Sequence, residues 1–126
     1  MTLPENIAAK AFKATNGELA WRRQDLEEAI IAVRDSHQAI LGGEVWLIAD
    51  SGTWNGLIPA QSSNKTGVWQ WQTNARSKVE SWDAYCDRTA KESMHAARFM
   101  KAEDDMPASL RDRLRFNLTY IAEDRE

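Results

Sequence analysis

Apolar residues recur along this chain with two periods, and the places where the period changes mark out its elements. Over residues 24–38, Leu26, Ala29, Ile30 and Val33 fall at i, i+3, i+4 and i+7, which places them on one face of an amphipathic helix. Residues 39–49 then run Ala-Ile-Leu-Gly-Gly-Glu-Val-Trp-Leu-Ile-Ala, rich in branched and aromatic side chains, and are closed by Asp50-Ser51-Gly52. That pattern predicts a strand interrupted by a glycine pair, with Gly42 and Gly43 marking its start, a bulge or a close backbone approach. Turn-forming clusters at residues 50–53 and 61–65 flank Trp54 to Pro59, and residues 68–72, Val-Trp-Gln-Trp-Gln, alternate strictly after Gly67. The spacing predicts an antiparallel meander of three strands.

Ser77 followed by Glu80 matches a capping box, in which each side chain satisfies the other residue's free backbone N–H, so a long helix is expected to begin there. Val79, Trp82, Cys86, Ala90, Ser93, Ala97 and Met100 recur at three- and four-residue steps, giving that helix a stripe of mostly small residues able to lie close to a sheet. Pro107 suits the first position of a short helix through Arg111, after the acidic loop at residues 103–105. Over residues 114–121, Leu114, Phe116, Leu118 and Tyr120 share one face and Arg115, Asn117 and Thr119 the other, as in a half-buried strand. Helix, three strands, helix, strand is not the regular alternation of a parallel fold. The expected class is therefore α+β: a mostly antiparallel sheet of about four strands covered by two main helices, in a single domain over residues 1–126.

Composition narrows the function classes. An apolar share of 43% and a charged share of 28% in 126 residues are ordinary for a globular chain and unlike disorder. Net charge is −3, with cations interspersed among acids, so no nucleic-acid footprint is visible. The apolar runs fall far short of the roughly 20 residues of a membrane span. The first residues lack a secretory pattern and Cys86 is the lone cysteine, which together point to a cytoplasmic protein.

Candidate chemistry is sparse. Glu92 and His95 form Glu-x-x-His, half of a di-iron arrangement with no second copy, so no metal is expected. Cys86 sits in the apolar stripe and reads as a small hydrophobe. Ser51 and Ser62 lack the Gly-x-Ser-x-Gly context of a presented nucleophile, and no glycine-rich phosphate cradle occurs, so neither catalytic residues nor a cofactor are assigned. What stands out is tryptophan: six in the chain, five of them between positions 46 and 82. Trp46 and Trp82 read as core. Trp69 and Trp71 project from one strand face and either fill space beneath the helices or line a pocket. Trp54, in turn-rich sequence, is the expected exposed anchor. Glu44, if it points inward, needs a partner, with Arg22 or Arg23 as candidates.

Four stretches resemble small immunity proteins of bacterial toxin systems: Ile40-Leu41-Gly42-Gly43-Glu44-Val45-Trp46, Gly67-Val68-Trp69-Gln70-Trp71, Trp82-Asp83-Ala84-Tyr85 and Phe116-Asn117-Leu118-Thr119-Tyr120-Ile121. The resemblance spans residues 17 to 123 and implies an α+β cytosolic protein that binds and blocks a cognate toxin domain without catalysis. Two functions are compatible with these features. The first is a non-enzymatic interaction protein, plausible as an immunity protein, using Trp54, Asp50, Asn55 and the acidic residues Glu103, Asp104 and Asp105 against a protein partner. The second is a small-ligand-binding domain or small enzyme, with Trp69 and Trp71 lining a pocket and Glu44 as its polar group.

Overall fold

The computed structural model describes residues 3–49, 51, 54–56 and 69–126. They form an α+β architecture built on an antiparallel sheet with two long helices packed on it. The elements in chain order are α1 (Glu5–Ala8), β1 (Phe12–Lys13), β2 (Leu19–Trp21), α2 (Arg23–Asp35), β3 (Gln38–Ile48), β4 (Trp54–Gly56), β5 (Gln70–Gln72), α3 (Trp82–Phe99), α4 (Ala108–Arg111) and β6 (Leu114–Ala122). The sheet runs β1-β2-β6-β3-β4, and β5 also pairs with β3.

The predicted faces of α2 and β6 are the buried ones. Leu26, Ala29, Ile30 and Val33 meet Leu114, Phe116 and Leu118 in one core, to which Trp21 and Trp71 also belong. Helix α2 stops when His37 takes a left-handed backbone (φ 59°), and the chain turns directly into β3. That strand is the centre of the sheet, paired along its length with β6.

Leu41 is an extra residue in this pairing: Ile40 faces Tyr120 while Gly42 already faces Thr119. Such a bulge shifts the alternation by one position. Ile40 and Val45, five residues apart, consequently lie on the same core side, and Leu41 is pushed out to solvent. The expectation of a bulge or close approach at the glycine pair is met in both senses. A Cβ on Gly43 would sit 2.3 Å from the Asn117 carbonyl oxygen and 2.3 Å from the Trp71 indole, and one on Gly42 2.3 Å from the Trp71 carbonyl oxygen.

The structure differs from the sequence expectation in three places. The strands of residues 54–56 and 70–72 do not form a meander with each other. Both pair antiparallel with β3, on successive stretches, β4 with Trp46–Ile48 and β5 with Gly42–Glu44. Helix α3 begins at Trp82, capped by Ser81, whose hydroxyl accepts from Ala84 N at 3.1 Å. The Ser77–Glu80 pair instead closes a turn ahead of it, with the Glu80 carboxylate accepting from Ser77 N at 3.2 Å, and Val79 is left 96% exposed. Third, a short hairpin β1–β2 precedes α2 and extends the sheet past β6.

Arginines lock the helix layer to the sheet. Arg23 forks onto Glu103, donates to the Ala97 and Met100 carbonyls at the end of α3 at 2.8 and 2.5 Å, and stacks 4.6 Å above Phe116. Arg88 binds Glu80, Glu92 and the Asn74 and Ala75 carbonyls, tying the connection between β5 and α3 onto the helix. No helix among the described residues is long and apolar enough to cross a membrane.

Candidate functional site

The tryptophans with described side chains divide by what each ring nitrogen meets. Trp21 donates to the Ile7 carbonyl at 2.9 Å, Trp82 to the His37 carbonyl at 2.8 Å, and Trp71 to the Ser93 hydroxyl at 3.1 Å. Trp46 is fully buried and donates to the Glu44 carboxylate at 2.7 Å. Trp69 packs half-buried against the core, and its ring nitrogen is buried with no acceptor among the described residues. Trp46 and Trp82 thus occupy the core positions expected of them.

Glu44 and the paired indoles are separated by the pleat. The row Ala20, Asn117, Glu44 and Gln70 is aligned across β2, β6, β3 and β5, so these side chains share one face of the sheet. Trp71, the next residue after Gln70, turns to the other face, where its indole lies across Gly43 and reaches Ser93 on α3. The indole is a core filler. The expected arginine partner for Glu44 is likewise absent among the described residues, because Arg23 is engaged with Glu103 on the helix side. Glu44 holds Trp46 instead.

The residues expected to contact a partner belong to different elements. Asp50 lies outside the described residues. Trp54 and Asn55 fall in β4, opposite Ile48 and Leu47, and so belong to a strand rather than to a turn. Glu103 is half-buried: burial pushes its carboxyl up, but the hydrogen bonds from Arg23 and the backbone, together with the charges of Arg23 and Arg111, hold it below its ordinary value. Asp104 is exposed in the 3-10 turn Ala102–Asp105. Its neighbour Asp105 is placed in the same turn.

Reactive groups do not converge. Burial pushes the Cys86 thiol up to about 11, with the charge of Asp83 acting in the same direction, so it is a poor source of thiolate. His95 stacks on Phe99 at the far end of α3, and His37 faces Asp83 at 3.5 Å near the start of that helix. Among the described residues no group of three or more His, Cys, Asp or Glu gathers in a metal-holding arrangement.

One feature of the sheet does look like a recognition surface. On the side away from α2 and α3, Glu18, Glu44, Gln70, Gln72, Asn117 and Thr119 surround a hollow of about 260 Å³ open to solvent. Its floor is the pairing of β6, β3 and β5 at the glycine pair, where Leu41, Gly42, Gly43 and Trp71 also line it. Of the residues lining it, Glu44, Trp71 and the glycine pair stood out in the sequence. Gln70, Gln72, Asn117 and Thr119 have the polar alternation of any solvent face, and only cross-strand register brings them together. Comparison with protein-family models, with curated proteins and with solved structures finds no match to this chain.

Proposed function

We propose that this chain is a non-enzymatic protein-binding module that docks a partner on the side of its sheet away from α2 and α3. The observation that carries the reading is the hollow beside Glu44: polar side chains gathered on a strand floor, with no metal-holding group of three or more His, Cys, Asp or Glu among the described residues. Rigid elements that display polar groups around a concavity suit recognition, because little side-chain freedom is lost on binding. The resemblance to toxin-system immunity proteins names the class of partner, a toxin domain that the chain neutralises by covering it.

The test uses an identified partner, obtained by affinity capture and confirmed to halt growth when expressed without this chain. The Gln70→Arg, Thr119→Arg double variant changes exposed positions of the sheet face and is expected to weaken binding by at least about ten-fold. Lys91→Glu on the solvent side of α3 is expected to leave binding unchanged. Loss of binding with Lys91→Glu and retention with the double variant would place the contact on the helix layer and end the proposal.

A further inference from the structure

We infer that the outer edge of β5 is a self-pairing surface, along which a second copy of this chain adds its own β5 antiparallel, about a two-fold axis at Trp71. The ladder to β3 shows which main-chain groups point that way. Val45 N–H donates to the Trp69 carbonyl at 2.9 Å and Thr73 N–H to the Leu41 carbonyl at 3.1 Å, with Gly43 facing Trp71 between them. Antiparallel pairs alternate between those that exchange hydrogen bonds and those that do not. Residues 69, 71 and 73 therefore turn their main-chain groups to β3. The N–H and C=O of Gln70 and Gln72 face the opposite way, where no strand among the described residues pairs with β5.

The side chains supply a second and independent observation. Sheet edges are ordinarily guarded by a lysine, a proline or a bulge that keeps another strand away. At the far edge of this sheet β1 carries exposed Lys13, whereas the two exposed residues of β5 are uncharged glutamines. Neither glutamine repels a strand of the same kind.

A second copy is the occupant these groups specify. With Trp71 at the axis, Gln70 of one copy lies opposite Gln72 of the other, twice, and each such pair exchanges both of its main-chain hydrogen bonds. Gln then faces Gln, so no like charges are opposed and each side-chain amide can donate and accept. Pairing at the edge lies in the plane of the sheet and leaves open the face proposed for the partner, so either reading can fail without the other. Strands of three residues make a small contact, and the dissociation constant is expected between about 10 µM and 1 mM.

The experiment is sedimentation equilibrium of the full chain from about 10 µM to 2 mM, with main-chain hydrogen exchange read residue by residue at both ends of the range. A monomer–dimer equilibrium is expected, with the Gln70 and Gln72 amides exchanging at least about two-fold more slowly at the high end. Gln72→Pro removes an outward N–H while leaving Thr73 bonded to Leu41, and is expected to weaken association at least about ten-fold. A Gln70→Lys, Gln72→Lys variant and a Gln70→Glu, Gln72→Glu variant, both at exposed positions, are each expected to stay monomeric and to pair with each other when mixed. Four results would each overturn the inference: a chain that stays monomeric up to about 2 mM, association without slowed exchange at Gln70 and Gln72, wild-type association of Gln72→Pro, or a monomeric mixture of the Lys and Glu variants.

Discussion

Gly43 has no side chain because its neighbours already fill the space one would take. With the Asn117 carbonyl oxygen and the Trp71 indole both 2.3 Å from where a Cβ would stand, Gly43→Ala must separate β3 from β6 or expel the indole. It is expected to destabilise the fold by about 2 kcal/mol or more in urea unfolding, at the upper end of overpacking costs. The two neighbouring tryptophans make a contrast of the same kind. Trp71→Phe removes the donor to Ser93 inside the core and is expected to cost about 1–3 kcal/mol. Trp69→Phe removes a buried N–H that has no acceptor among the described residues, so its loss of packing is offset and the change should stay within about 1 kcal/mol. Sequence marked Gly42 and Gly43 as special and paired the two indoles on one face. It could not distinguish the two, since Ser93 comes to Trp71 from a helix more than twenty positions along the chain.

At the scale of elements, the helix start after β5 shows how a local motif competes with its neighbour. Ser77–Glu80 and Ser81–Ala84 both have capping chemistry, and the structure uses the second for α3. Arg88 explains the choice: it draws the Glu80 carboxylate and the carbonyls of Asn74 and Ala75 onto the side of α3, so residues 74–80 run along the helix and cannot continue it. Ser81→Ala is therefore expected to cost about 1 kcal/mol in thermal or urea unfolding, and Ser77→Ala clearly less. A larger loss at Ser77 would mean that the box at 77–80 is the working cap. The strands follow a similar rule. Alternation at residues 68–72 and 114–121 is a local signal and sufficed for β5 and β6. Their partners did not follow from it, and β5 returned to β3 where a meander would have put it on β4.

For the whole molecule, the joint between layers is electrostatic as well as apolar. Arg23 connects the start of α2, the end of α3, the 3-10 turn at Glu103 and Phe116 of β6. Because the Glu103 carboxyl lies below its ordinary value in the folded state, its contribution to stability is complete above the unfolded-state value and is lost as pH falls through the folded one. Glu103→Gln should accordingly flatten the acid limb of a stability-versus-pH profile and lower stability near neutrality, measured by urea unfolding across the acid range. An acid limb as steep as that of the wild type would remove Glu103 from the account. Local sequence by itself determined α2, α3, β5 and β6 through their period, α4 through Pro107 and β3 through its branched and aromatic run, and with them the α+β class and the apolar face of each long helix, because these are properties of neighbouring residues. Only the tertiary structure decided that Glu103 is an internal joint, that Trp71 and Glu44 lie on opposite sides of the sheet, and that Glu44 meets Asn117 and Gln70 around one hollow. Those facts are relations between strands far apart in the chain, and a single bulge at Leu41 sets the register from which they follow.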